Sequence, residues 1–136
     1  MNREKAEIVI NEFFDKNPDM LSLTTIAGSY RRGKQEGLHD VDFLIVDEEM
    51  AGKRKREEFL GEPVDLVYTS EEAFGPALLY LTGPKFFNIR TRSRANQFGF
   101  KLNQYGLFNG DARIDNNTEY GILELLKMWR EPKDRL

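Results

Sequence analysis

The segment Asp40-Val41-Asp42-Phe43-Leu44-Ile45-Val46 is the tightest constraint on what this chain can fold into. A run this apolar and β-branched belongs inside a sheet. Side chains on a strand alternate faces with period 2, so Asp40 and Asp42 point the same way. Two carboxylates side by side repel unless a cation sits between them. The strand must therefore border a site as well as a core. Asp65 has a similar setting in Pro63-Val64-Asp65-Leu66-Val67-Tyr68. As a third carboxylate it completes an oxygen-donor set suited to magnesium. A solvent-facing edge strand could also carry Asp40 and Asp42. However, Asp is depleted in strands, and alternation ahead of an apolar run is unusual for an edge.

Upstream lies Gly28-Ser29-Tyr30-Arg31-Arg32-Gly33. Glycine lets a backbone approach a phosphate, and N–H groups at a helix start attract anions. Arg31 and Arg32 add guanidinium forks for phosphate oxygens. A glycine-serine turn alone is a weak signal. Followed by the paired aspartates, it reads as nucleotidyl transfer.

A chain of 136 residues holds one domain, or two small lobes sharing a core. Cys is absent and His39 is the single histidine, which excludes thiolate catalysis and cysteine or histidine metal sites. No apolar run reaches the roughly 20 residues of a membrane span, and the N-terminus lacks a signal-peptide layout. The expectation is a cytoplasmic protein, of a prokaryotic cell or a virus-infected host, with no membrane partner. The net charge of −3 conceals an uneven distribution. From Ala73 to Gly110 there is no Asp or Glu, while Lys85, Arg90, Arg92, Arg94 and Lys101 give +5, leaving −8 elsewhere. A basic segment on an acidic body indicates a localised phosphate-contacting surface. The run Lys53-Arg54-Lys55-Arg56, flanked by acids, reads instead as solvated surface.

The spacing predicts a helix over 2–16, ended by Asn17-Pro18, then a strand from Leu21 to Ala27. A turn at Gly28-Ser29 opens a short helix within 30–35. Strands follow at 41–46 and 63–68, with a solvated helix or loop at 47–59 between them. Ser70 is placed to cap a helix over 71–81, and a second helix runs from 85 to about 98, with Gly99 as its C′ residue. Short strands surround Asn109-Gly110-Asp111, Thr118 caps a last helix to about Lys127, and the tail reads as irregular and polar. The natural division is a catalytic lobe, 1–70, and a second lobe, 71–136. On the 85–98 helix, Lys85, Asn88 and Arg92 share one face, with Arg90 and Arg94 as an adjacent cationic row. Trp129 reads as core packing for the last helix.

These motifs resemble those of the family X DNA polymerases, the polymerase beta-like nucleotidyltransferases. Ala27 to Lys34 is similar to the family's glycine-serine-x-arginine-arginine-glycine motif, His39 to Asp42 to its paired aspartates, and Val64-Asp65-Leu66 to its third-aspartate strand. Leu79-Tyr80-Leu81-Thr82-Gly83 resembles its tyrosine-phenylalanine-threonine-glycine motif. Lys101 to Leu107 and Arg130 to Arg135 resemble its thumb and C-terminal signature. The resemblance implies an α+β fold, a nucleotidyltransferase palm with a small C-terminal thumb. It implies template-directed addition of dNTPs to a primer 3′-hydroxyl with release of pyrophosphate, in short-gap repair. Asp40, Asp42 and Asp65 would ligate two magnesium ions, with manganese as a substitute. Gly28, Ser29 and Arg32 would bind the phosphates. Tyr80 and Gly83 would flank the sugar, and Asn88 would touch the base. Lys85, Arg90, Arg92, Arg94 and Lys101 would meet DNA, as primer-template or gapped duplex.

The chain departs from the family at several positions. Only 22 residues separate Asp42 from Asp65, and there is no room for a lyase domain or helix-hairpin-helix region. The expectation is a monomer to which a partner protein supplies the missing DNA-binding region. Leu81 replaces an aromatic, Val67 an arginine that regulates the aspartates, and His39 a glycine. Pro84 falls at a bond that is cis in some members, and proline lowers the cis penalty to about 0.5–1 kcal/mol. Two rivals keep part of the pattern. One is a template-independent nucleotidyltransferase acting on RNA, protein or a small molecule. The other is a non-catalytic remnant that binds DNA ends.

Overall fold

The computed structural model describes all 136 residues. The elements run α1 (Arg3–Lys16), β1 (Thr24–Ile26), α2 (Gly28–Arg31), β2 (Val41–Val46), β3 (Arg54–Phe59), β4 (Glu62–Thr69), α3 (Phe74–Thr82), α4 (Lys85–Gln97), β5 (Lys101–Asn103), β6 (Gly106–Asn109), β7 (Ala112–Arg113) and α5 (Glu119–Leu125). The fold is α+β, as the sequence implied. One sheet has the order β1-β2-β4-β3, and a three-stranded sheet has the order β5-β6-β7. In the first sheet β2 and β4 run parallel, and the outer strands pair antiparallel. No helix is long and apolar enough to cross a membrane.

Strand alternation sorts β2 between two cores. Val41, Phe43 and Ile45 face α1, where Phe13 lies 4.3 Å from the Phe43 ring and 5.5 Å from Phe59. Leu44 points to the other face and packs with Ala27, Ala77 and Leu78, so α3 covers that face only beyond Asp42. A third cluster, Leu79, Phe87, Ala95, Leu102, Leu107, Ile122, Leu123 and Leu126, builds the C-terminal half. The aspartates thus stand at the end of the sheet face that no helix covers.

Several expectations need correction. The strand foreseen over 21–27 is confined to Thr24–Ile26, with a 3₁₀ turn over Pro18–Leu23. Leu21 and Leu23 are 62% and 46% exposed, and β2 offers partners only to Thr24, Thr25 and Ile26. The segment 47–59, expected as helix or loop, contains β3. It pairs with β4 through a hairpin turn at Leu60-Gly61, both at positive φ. Its charge hid it: the only apolar anchor is Phe59, and Leu60 sits where Asn or Asp would have signalled such a turn. The helix foreseen over 71–81 begins at Phe74, while Ser70 Oγ accepts from Ala73 N at 3.1 Å. Thr118 caps α5 by accepting from Gly121 N at 2.9 Å, but the helix ends at Leu125. The tail is not merely irregular: Pro132–Asp134 forms a 3₁₀ turn and Arg135 is buried. Trp129 packs against the third cluster, edge-on to Tyr120.

Candidate active site

Register sets the carboxylates. Asp42 pairs laterally with Asp65 across the parallel β2–β4 ladder, and Asp65 pairs with Arg56 across β4–β3. Asp40 lies two residues before Asp42, on the same face. One ligand oxygen from each of Asp40, Asp42 and Asp65 can be chosen so that all lie within 4.8 Å of one another. Burial pushes Asp42 up to about 7, reinforced by Asp40 and Asp65 and opposed by Arg54 and Arg32. Asp40 is raised by burial and then by Asp65, against Arg56. Three converging carboxylates, two held above their ordinary range, are an oxygen-only donor set short of positive charge. They fit a hard divalent cation.

Two arginines that the sequence reading assigned to solvated surface face this nest. Arg56 Nη1 lies 2.9 Å from Asp65 and 3.6 Å from Asp40, and Arg54 Nη2 lies 3.8 Å from Asp65. The available signal was the Arg-x-Arg alternation, which puts both on one face once the segment is a strand. Within the charged run, that signal was indistinguishable from solvated surface.

A cleft of about 620 Å³ adjoins the carboxylates, and Gly28, Ser29, Arg32, Tyr80, Gly83 and Asn88 all line it. Gly28 has φ +61, and a Cβ there would collide with the Asp42 carboxylate, so only glycine lets the turn close on the strand. Arg32 donates to Thr82 O at 2.6 Å. Burial lowers the Arg32 pKa from its ordinary value, with Asp42 opposing. Gly83 sits at φ 64, and the Gly83–Pro84 bond is cis. Asn88 donates to Tyr80 O at 2.8 Å, leaving its Oδ1 buried without a partner.

Arg31 does not face the cleft as a phosphate ligand. It forms a bidentate pair with Glu119 at 2.6 and 2.9 Å and donates to Thr82 Oγ1. Arg135 binds the same carboxylate at 3.0 and 3.1 Å. Burial alone would raise Glu119, but hydrogen bonds from Arg31 and Arg135 hold it below its ordinary value. The triad ties α2 and the tail to α5, and a polar-looking tail gave no hint of it.

Among the basic residues, Lys85 and Arg92 line the cleft, and Arg92 lies 5.2 Å from the Tyr80 ring centroid. The cleft does not include Arg90, Arg94 or Lys101. Arg90 donates to the Leu136 carbonyl, Arg94 donates to Leu126 O at 3.2 Å, and Lys101 is exposed on β5.

A glycine-serine turn beside a carboxylate nest, on a mixed sheet with a helical second half, defines a class. The sequence matches the family descriptions of the DNA polymerase beta palm over residues 2–87 and the DNA polymerase beta thumb over residues 77–136. The chain belongs to this family of polymerase beta-like, family X, DNA polymerases. Among its relatives is Repair DNA polymerase X of African swine fever virus (isolate Tick/South Africa/Pretoriuskop Pr4/1996), 31% identical over 147 residues, covering 86% of this chain and 84% of the relative. Repair DNA polymerase X of the Malawi tick isolate is 29% identical over the same shares of each chain. DNA polymerase IV of Saccharomyces cerevisiae is 37% identical over 65 residues, 47% of this chain and 11% of that protein.

Proposed function

We propose that this chain is a minimal repair DNA polymerase, adding dNTPs to a primer 3′-hydroxyl under template direction and filling short gaps. One observation carries the reading: three carboxylates converge within 4.8 Å, and two of them, Asp40 and Asp42, line the same cleft as Gly28, Ser29 and Arg32. Nucleotidyl transfer from a triphosphate needs those two features side by side. Asp40, Asp42 and Asp65 would hold two magnesium ions, for which manganese substitutes. When bound, such ions neutralise the triphosphate and acidify the 3′-hydroxyl.

The chain's own residues supply the positioning. Gly28 and Ser29 offer backbone and hydroxyl donors to the β- and γ-phosphates, and Arg32 adds charge from its seat on Thr82. Tyr80 and Gly83 flank the sugar. Asn88, fixed by its bond to Tyr80 O, turns the second hydrogen of its Nδ2 amide toward the minor-groove edge of the incoming base, where acceptors are similar for every pair. Lys85, Arg90, Arg92, Arg94 and Lys101 meet the DNA backbone. We place the palm at 1–70 and the thumb at 71–136, because the core around Phe13 and that around Leu107 fall on either side of that boundary. The working unit is a cytoplasmic monomer, with a partner protein adding the DNA grip that these few cations do not supply.

Primer extension on one-nucleotide-gapped DNA, with magnesium or manganese and each dNTP separately, tests this. Template-matched incorporation is expected. Template-blind tailing, or DNA binding with no incorporation, would refute it.

A further inference from the structure

We infer that Arg54 and Arg56, on the aspartate-facing side of β3, grip the phosphate backbone of the strand that carries the attacking 3′-hydroxyl. This rests on the function proposed above and assigns a role to residues it leaves unused.

The sheet itself orders the participants. Across the order β1-β2-β4-β3, the turn after β1 comes first, then Asp42, then Asp65, then Arg56. In-line phosphoryl transfer requires nucleophile and leaving group on opposite sides of the phosphorus. If the departing pyrophosphate lies against Gly28, Ser29 and Arg32, the attacking strand arrives from the β3 side. The side chains waiting there are Arg56 and, two residues away on the same face, Arg54. Glu58 shares that face further along β3, opposite Pro63, while Lys55 and Glu57 point to the other side.

Both arginines are available. Their side chains are 56% and 58% exposed, while the Asp65 side chain they meet is only 8% exposed, so they can turn away from it once another positive charge compensates that carboxylate. Cations on the carboxylates would take over the neutralising role. The guanidinium forks would then be free for phosphate oxygens, which they match bidentately. A second cavity, about 240 Å³, continues from the main cleft on this side and shares Arg54, Tyr80 and Leu81 with it. Lys53 and Tyr105 also line it, which gives the incoming strand a cationic, aromatic path.

The test is fluorescence anisotropy of the full chain on gapped DNA with a dideoxy-terminated primer, in magnesium, as a function of salt. Arg54→Gln and Arg56→Gln should each weaken binding roughly five- to tenfold and reduce the salt slope by about 1. Arg56→Lys should keep the slope, and the dNTP KM should not move. Lys55→Gln, on the opposite face, should match wild type. Unchanged affinity and slope in the double Gln variant would overturn the inference. So would an effect confined to the magnesium concentration needed for incorporation, which would mean that the arginines only neutralise carboxylates. If Arg56→Gln fails to fold, Arg54→Gln, whose ion pair is the longer, still reads the slope. Failure of the polymerase reading itself would look different, because wild type would then incorporate no template-matched nucleotide.

Discussion

Asp42→Asn should stabilise the metal-free protein while abolishing its activity. The carboxyl of Asp42 is pushed up to about 7 from an ordinary 3.8, first by burial and then by Asp40 and Asp65. Each pKa unit is worth about 1.4 kcal/mol, so the full displacement corresponds to about 4 kcal/mol. Asp42 keeps some contact with water, and screening reduces the expected effect to roughly 2–3 kcal/mol. The sign follows from proton binding. Between about pH 4 and about pH 7 the folded chain holds a proton on Asp42 that the unfolded chain has released, so stability falls as pH rises. Asn carries no such proton. Urea unfolding in a chelator, at about pH 4 and about pH 8, should show Asp42→Asn gaining roughly 2–3 kcal/mol on wild type over that span. Magnesium at the higher pH should stabilise wild type by mass action and leave the variant nearly unmoved. Incorporation should vanish in the variant. A pH-independent difference between the two curves, or retained incorporation, would refute the reasoning.

Gly28→Ala forces a methyl group into the Asp42 carboxylate at a positive φ, and should cut incorporation at least about tenfold and cost roughly 1–3 kcal/mol in urea unfolding. Gly110→Ala, at φ 62 with open space around it, should cost only about 1 kcal/mol and leave incorporation intact. Glu119→Ala leaves the buried Arg135 unpaired and frees Arg31, and should lower stability by about 3–5 kcal/mol in the same assay.

How far these elements could be read from sequence depended on how local their signals are. β2, β4 and α1 were legible because an alternating or helical apolar pattern is set by the burial of each segment's own face, and α4 because Gly83-Pro84 and Gly99 bracket it. The carboxylate nest was legible for the same reason: an Asp inside such a pattern breaks it visibly. β3 was not, since an exposed edge strand needs no apolar pattern and is stabilised by hydrogen bonds to β4 that its own residues do not announce. Arg31 shows the same limit at one position. Beside Arg32 it looked like a second phosphate fork, yet its partner Glu119 lies 88 residues away.

The sequence by itself thus determined the three aspartates, the turn that faces them and the order of the palm and thumb motifs. Those follow from period, spacing and residue chemistry along the chain. Only the tertiary structure decided which cations serve the site and which hold the fold. Arg54 and Arg56 meet Asp65 because β3 pairs with β4, while Arg31 and Arg135 meet Glu119 because the tail folds back over α5. The role of each of these arginines is set by the carboxylate that folding brings within reach, not by its neighbours in sequence.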